Sequence, residues 1–128
     1  MLMKTILIHE KDTELLSAWA SYLSQDDLAV FTSADALEAA EIVSTVNVDS
    51  VVISSNDPAA FLLIAGVLKS RKMPVDVVAI SRMQTAVLRL LLGSENFVRL
   101  EFPFTFGTLE DIVRVANLKP KAMQNALV

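Results

Sequence analysis

Short, apolar, β-branched segments alternate five times with helical patterns along this 128-residue chain. Such alternation predicts βα units built around one parallel sheet in a single domain. The predicted strands are Thr5–Ile8, Ala29–Thr32, Ser50–Ile53, Val75–Ile80 and Phe97–Leu100. The first, third and fourth are almost continuously apolar, which is typical of strands that helices cover on both faces.

Residues that commonly begin or end helices lie between these strands. Asp12, Ser33 and Asp57 are predicted N-caps, and Pro58 follows the last of them at a first helical position, where no N–H partner is required. The remaining predicted boundaries are residues 34–46 for the second helix, Met83–Leu92 for the fourth with Gly93 ending it, and Thr108 for the start of the fifth, with Asp111 in its capping box.

The spacing of apolar residues predicts which side of each helix meets the sheet. The inward sets are Leu15, Leu16, Trp19, Tyr22 and Leu23 in the first helix, Leu37, Ala40 and Val43 in the second, and Leu109, Ile112, Val113 and Ala116 in the fifth. The remaining positions of these helices are expected to face solvent.

The third and fourth helices are apolar nearly all the way round. Their large aliphatic residues are Leu62, Leu63, Val87, Leu88, Leu90, Leu91 and Leu92. A helix with one core-facing side needs a polar opposite side, so these residues cannot all face one sheet. Either the surplus forms an interface, or part of it packs laterally against neighbouring helices.

Chemistry in an open parallel sheet is concentrated outside the carboxyl ends of its strands. The residues that follow the predicted strands there are His9 to Asp12, Ser54 to Asp57, Ser81, and Phe102 to Phe104. These segments contain the candidate site residues.

Over about residues 4–118 the sequence resembles bacterial response-regulator receiver domains. The segments ILIHEKD, DSVVIS, PVDVVAIS and LEFPF correspond to four strand-end motifs of that family. The resemblance implies an α/β, flavodoxin-like (CheY-like) fold, in which a doubly wound, five-stranded parallel sheet of order 2-1-3-4-5 is the middle of three α/β/α layers. It also implies a receiver-like domain at residues 1–118 and a tail or the start of a linker at 119–128.

The resemblance further assigns the pocket positions. Glu10 and Lys11 stand at the family's acidic pair, Ser54 at the phosphorylated aspartate, Ser81 at the hydroxyl position and Phe102 at the lysine. An acyl phosphate requires a carboxylate nucleophile and a divalent metal held by several oxygens. Ser54 offers no carboxylate, Lys11 repels Mg²⁺, and Phe102 cannot pair with a phosphoryl oxygen. The pocket is therefore predicted to be degenerate.

No catalytic residue, metal site or cofactor is expected. Glu10 and Asp12 are only weak candidates for metal ligands. We expect a signal-transduction domain that acts by phosphorylation-independent protein contact and not as an enzyme. Two alternatives stay open: a receiver that retains weak phosphorelay function, and a small α/β hydrolase that uses Ser54 or Ser55 with His9 and Asp57.

A protein partner, including a second copy in a homodimer, is the expected ligand. The apolar surplus of the fourth helix gives Val87, Leu88 and Leu91 as candidate interface residues. The resemblance implies an interface on the fourth helix, fifth strand and fifth helix, and adds Phe97, Arg99 and Phe106. The net charge of −4 and pI near 4.9 argue against direct nucleic-acid binding. No small-molecule substrate or membrane association is expected. The N-terminus lacks a cleavable signal pattern, so a cytoplasmic location is predicted.

Overall fold

The computed structural model describes residues 3–71, 74–93 and 96–116 and contains alternating strands and helices. The elements are β1 (Lys4–Glu10), α1 (Thr13–Leu23), β2 (Leu28–Ser33), α2 (Ala36–Thr45), β3 (Ser50–Ser54), α3 (Pro58–Leu68), β4 (Asp76–Ile80), α4 (Thr85–Leu92), β5 (Phe97–Leu100) and α5 (Phe106–Ala116). The predicted βα alternation is confirmed. The predicted tail at 119–128 and the domain boundary at 118 lie outside the described residues.

All neighbouring strands are parallel, in the order β2-β1-β3-β4-β5. The flavodoxin-like topology predicted through the family resemblance is therefore confirmed. In the register between β1 and β3, Glu10 lies opposite Ser54, and between β3 and β4 Ser54 lies opposite Ile80. The carboxyl ends of the three central strands thus lie at the same edge of the sheet.

The sheet separates two apolar clusters, because successive side chains of a strand point to opposite faces. In β1, Leu7 packs with residues of α2, α3 and α4, whereas Ile6 and Ile8 pack with residues of α1 and α5. All three side chains are fully buried, and burial of each stabilises the fold by about 2 kcal/mol. Both faces are covered, which is why β1, β3 and β4 are apolar throughout.

Three predicted helix boundaries, at Asp12, Asp57 and Gly93, are confirmed. The Asp12 carboxylate accepts hydrogen bonds from the backbone N–H groups of Glu14 and Leu15, and Asp57 caps α3 by accepting from Ala59. Gly93 ends α4 with φ of 67°, a conformation that glycine adopts without a Cβ penalty.

Three predicted helix starts are wrong. Asp35, and not Ser33, caps α2, because Ser33 belongs to β2 and its hydroxyl donates to the Asp35 carbonyl. The fourth helix starts at Thr85 and not at Met83, whose N–H is bonded to the Ser81 hydroxyl. The fifth starts at Phe106 and not at Thr108. Its first turn is stabilised by the Thr105 hydroxyl, which accepts a hydrogen bond from the Thr108 N–H.

Two predicted inward positions are also wrong. Leu37 is 63% exposed, because the inner face of α2 is formed by Ala39, Ala40 and Val43 instead. Tyr22 is exposed at the margin of α1 and contacts the ring of Phe106 edge to face, at 5.3 Å between ring centroids. In both helices the apolar pattern includes a position that the rest of the protein does not cover.

At the amino-terminal edge of the sheet, charged side chains hold α5 in place. Arg114 contacts Asp27 at 2.7 Å and Glu110 at 2.9 Å, and the Lys4 ammonium donates to the Arg114 carbonyl at 3.0 Å. Burial lowers the pKa of Lys4, and burial likewise raises the pKa of Asp76 nearby. These contacts orient α5 while the opposite edge of the sheet remains open for the candidate site.

Candidate functional site

The structure brings together the five positions that the resemblance assigns to the pocket. Glu10 and Lys11 follow from the end of β1, Ser54 ends β3, Ser81 follows β4, and Phe102 follows β5. All five line one surface depression at the carboxyl edge of the sheet. Their grouping follows from the parallel order of the strands.

A short hydrogen bond joins the two central strands in this depression. The Ser54 hydroxyl, which is 6% exposed as a residue, donates to Glu10 Oε1 at 2.6 Å. The other carboxylate oxygen, Glu10 Oε2, accepts the Asp12 N–H at 2.9 Å. Both oxygens of Glu10 therefore have partners within the protein, and Ser54 holds the ends of β1 and β3 together.

On the other side of the depression, Asn56 links two loops. Its side-chain oxygen accepts from the Ser81 hydroxyl at 3.2 Å and from the Arg82 N–H at 2.8 Å. The Ser81 hydroxyl in turn accepts from the Met83 N–H at 3.1 Å. From the sequence, Asn56 had no role beyond its place between Ser54 and Asp57. An amide side chain directly after the serine-rich end of β3 was the available signal, since asparagine commonly binds neighbouring backbone groups in turns.

The charged groups at the mouth have mixed sign. Lys11 and Arg82 are exposed cations that line the depression together with Glu10 and Asp57. Asp12 and Asp57 are engaged as helix caps. Among the residues that the structure describes, no group of three or more His, Asp or Glu side chains has the arrangement of a metal site.

Phe102 belongs to a stack of three aromatic rings. Its ring lies nearly parallel to that of Trp19, 8° apart in plane and 6.1 Å between centroids, and it stacks on Phe104 at 4.7 Å. Trp19 is buried, whereas Phe102 is 51% exposed. Aromatic pairs at such distances add stability beyond their buried area. The side chain at the family's lysine position is thus held by apolar contacts with α1.

The arrangement needed by the hydrolase alternative is absent from the described part of the chain. His9 lies opposite Ile53 in the sheet and its Nδ1 contacts the Ser33 carbonyl at 3.1 Å, on the β2 side. Ser54 instead faces Glu10, and the Ser55 hydroxyl accepts from the Asp57 N–H. Because neighbouring side chains of a strand alternate between faces, His9 cannot share the face of Ser54.

The candidate interface residues occupy different environments. Leu88 is fully buried in the core between α4 and the sheet, so its assignment to an interface is wrong. Leu91 and Phe97 are partly buried against the same core, and Arg99 donates to the Met83 carbonyl. The two exposed apolar members are Val87 and Phe106.

The chain resembles known proteins in its structure, but its sequence matches no known family. No family model matches the chain, and no curated protein matches it. The receiver domain of the Francisella response regulator 1452 superposes with a TM-score of 0.72 at 20% identity, covering 90% of this chain and 97% of that one.

Two further solved structures give similar values. The signal receiver domain of a putative Luxo repressor protein from Vibrio parahaemolyticus has a TM-score of 0.76 at 15% identity and covers 98% of this chain and 97% of its own. A CheY-like response regulator receiver domain from Methylobacillus flagellatus has a TM-score of 0.69 at 20% identity, with coverages of 88% and 97%.

This chain has the receiver fold. The likeness extends across nearly the whole of each compared domain, and it agrees with the strand order observed in the sheet. Within the described ranges, no helix has the length and apolar character needed to cross a membrane.

Proposed function

We propose that this receiver-fold domain transmits signals by protein contact in the cytoplasm, without phosphorylation of its pocket. The observation that carries the proposal is the hydrogen bond from Ser54 to Glu10. At the end of β3 this chain has a buried hydroxyl whose proton is committed to a carboxylate 2.6 Å away. Formation of an acyl phosphate requires a carboxylate at this position.

The surroundings also disfavour a bound divalent cation. Glu10 already accepts a hydrogen bond on each oxygen, and Lys11 adds a positive charge beside it. Mg²⁺ requires six oxygen ligands in near-octahedral geometry. Phe102, stacked on Trp19, has no charge with which to hold a phosphoryl oxygen.

Signalling by contact requires an accessible surface. The resemblance favours the face formed by α4, β5 and α5, where Val87, Val98 and Phe106 are exposed apolar residues. Leu90, on α4, is 84% exposed. A protein partner that covers such residues gains free energy by removing apolar area from water.

Beryllofluoride with Mg²⁺, a mimic of a bound phosphoryl group, tests the proposal. In two-dimensional NMR of the labelled protein, we expect no saturable shift of the Ser54, Ser81 or Phe102 amide resonances. A receiver with an intact acidic pocket, titrated in the same buffer, provides the positive control. Saturable shifts centred on Ser54 and Ser81 would contradict the proposal and support the weak phosphorelay alternative.

A further inference from the structure

Helix α4 begins without a side-chain cap. In α1, α2 and α3 an aspartate carboxylate accepts hydrogen bonds from N–H groups of the first turn, and in α5 the Thr105 hydroxyl does so. The side chain of Gln84, the residue before α4, makes no such bond, which distinguishes α4 from the other helices that the structure describes. Because the first N–H groups of a helix have no partner inside it, the start of α4 depends on contacts made elsewhere in the fold.

The segment before α4, residues 81–84, is held from the β3 side. Asn56 Oδ1 accepts hydrogen bonds from the Arg82 N–H at 2.8 Å and from the Ser81 hydroxyl at 3.2 Å. The Ser81 hydroxyl in turn accepts from the Met83 N–H at 3.1 Å. One amide oxygen thus fixes two successive backbone N–H groups of this segment, one directly and one through Ser81.

The same segment is held from the β5 side by Arg99. Its Nε donates to the Met83 carbonyl at 2.7 Å, and its Nη2 contacts Glu101 Oε1 at 3.1 Å. The Arg99 side chain is only 26% exposed, and hydrogen bonds from charged donors are stronger than those between neutral groups. Met83 is therefore bonded on both sides of its backbone, through its N–H to the Ser81 hydroxyl and through its carbonyl to Arg99.

Helix α4 has little other attachment to the core. Two of its eight residues, Leu88 and Leu92, are buried, whereas α3 buries five of eleven. Leu90 is 84% exposed. Segments with few buried apolar side chains open at a lower free energy than the rest of a domain. The attachment of α4 therefore depends more than that of α3 on the hydrogen bonds of residues 81–84.

We propose that Asn56 and Arg99 are the two halves of a latch that replaces the missing cap and positions α4. When either half is lost, α4 opens as a local unit while the sheet and the other helices stay folded. Asn56 lines the depression, and Arg99 belongs to β5. The latch thus couples the carboxyl edge of the sheet to the α4-β5-α5 face, because both residues bias the same two-state element.

This inference goes beyond the proposed function and does not depend on it, since the latch requires neither a phosphoryl group nor a partner. Its consequence for signalling concerns the exposed face. A protein that binds only the latched form of the α4-β5-α5 face loses apparent affinity in proportion to the fraction of molecules in which α4 is open. Asn56, at the depression, thereby influences binding at a surface that it does not touch.

Hydrogen exchange of individual amides, followed by NMR, tests the latch. The α4 amides report the free energy at which this helix opens. Asn56→Ala and Arg99→Met each remove one half of the latch, and each should lower the protection of the α4 amides about tenfold. Asn56→Asp, which keeps an oxygen acceptor, should retain most of the protection. A two-dimensional NMR spectrum shows whether each variant is folded.

Arg71 provides a matched control, because it also donates to backbone carbonyls near the end of a helix. Its guanidinium bonds the Val43 and Val46 carbonyls of α2 and its C-cap, contacts that remain intact when only α4 opens. Arg71→Met should therefore leave α4 protection unchanged while it lowers the stability of the whole protein to urea. Protection of the α4 amides should also depend less on urea than that of the α3 amides, since a local opening exposes less surface than complete unfolding.

The double variant Asn56→Ala/Arg99→Met tests the coupling. Its α4 protection should fall by less than the product of the two single effects, because loss of either half loosens Met83 for the other. A fall equal to the product would overturn the coupling, and unchanged protection in either folded single variant would overturn the latch.

The control has its own decisive outcome. An equal loss of α4 protection in Arg71→Met and Arg99→Met would mean that α4 opens only with the whole molecule, and the latch would be wrong. The proposed function fails separately, through a saturating beryllofluoride titration, because the exchange is measured without any ligand.

Discussion

The Ser54 hydroxyl donates a 2.6 Å hydrogen bond to the Glu10 carboxylate, joining the carboxyl ends of β3 and β1. The two residues are 44 positions apart in the chain. Glu10 also accepts the Asp12 N–H, so the turn into α1 depends on the same carboxylate. The hydrogen bonds at the centre of the candidate site therefore connect β1, β3 and the turn into α1.

Replacement of Ser54 by aspartate should therefore destabilise the protein. Ser54→Asp places a second carboxylate against Glu10, and two negative charges this close repel each other. This repulsion acts when both side chains are ionised, and acid removes it by protonating carboxylates. We expect a loss of about 2 kcal/mol at pH 7 and a smaller loss near pH 4, measured by urea denaturation.

Ser54→Ala provides the matched control for that variant. It removes the hydrogen bond without adding a charge, so a loss of about 1 kcal/mol is expected. The loss should change little between the two pH values. If Ser54→Asp showed the same profile as Ser54→Ala, the two side chains would not be as close as the structure places them.

Phe102→Lys should weaken the aromatic stack without creating a metal site. Loss of the contact with Trp19 removes about 1 kcal/mol of stability, because half of the Phe102 side chain is already in water. Trp19 is the single tryptophan of the chain, so its fluorescence reports the change. Phe102→Leu, which keeps an apolar side chain, should change stability less. Saturable quenching of Trp19 fluorescence by Mg²⁺ in Phe102→Lys would contradict the expectation that the pocket binds no metal.

The contact between Arg114 and Asp27 should affect stability in acid. The hydrogen bond from Arg114 lowers the pKa of Asp27 below its ordinary value of 3.8. The stability that it contributes is present above that value and is lost as pH falls through the lower folded value. Thermal denaturation of wild type and Asp27→Asn should therefore differ near neutrality and converge in strong acid. A difference independent of pH would exclude this ionic contribution.

Gly66, inside α3, and Gly93, directly after α4, should respond oppositely to replacement by alanine. Gly93→Ala should cost about 1–2 kcal/mol, because Gly93 has φ of 67° and a new Cβ would be 3.2 Å from Lys69 Cε. Gly66→Ala should stabilise the protein by about 0.5–1 kcal/mol, since Gly66 is a helix-interior position with open space. Urea denaturation of each variant measures both effects. Equal effects would contradict the backbone assignment at Gly93.

Two leucines of α4 should differ in their contribution to stability, because one is buried in the core and the other is exposed. Leu88→Ala should cost about 2–5 kcal/mol because Leu88 is fully buried, and Leu90→Ala should change stability by less than about 0.5 kcal/mol because Leu90 is 84% exposed. Urea denaturation of the two variants under identical conditions provides the comparison. A large loss in Leu90→Ala would mean that α4 is rotated relative to this structure.

Features that depend on neighbouring residues were predictable from the sequence. The apolar runs of β1, β3 and β4 specify buried strands, Asp12 and Asp57 cap the helices that follow them, and Gly93 ends α4. Each of these signals acts over a few residues, through side-chain bonds to nearby N–H groups or through glycine's freedom at positive φ. The location of the candidate site followed from the parallel strand order alone.

Other features were decided only by tertiary structure. Ser33 and Asp35 are both good N-caps, and Ser33 was excluded because β2 extends through it and places its carbonyl against His9. Leu37 and Leu88 are equally apolar, yet one is exposed and the other buried, because helix rotation against the sheet determines which positions are covered.

The sequence by itself thus determined the scaffold of this protein and which residue types stand at its pocket. It could not determine that Ser54 would meet Glu10, or that Phe102 would stack on Trp19. Those contacts join residues far apart in the chain, and they form only when strand register and helix docking bring the side chains within reach.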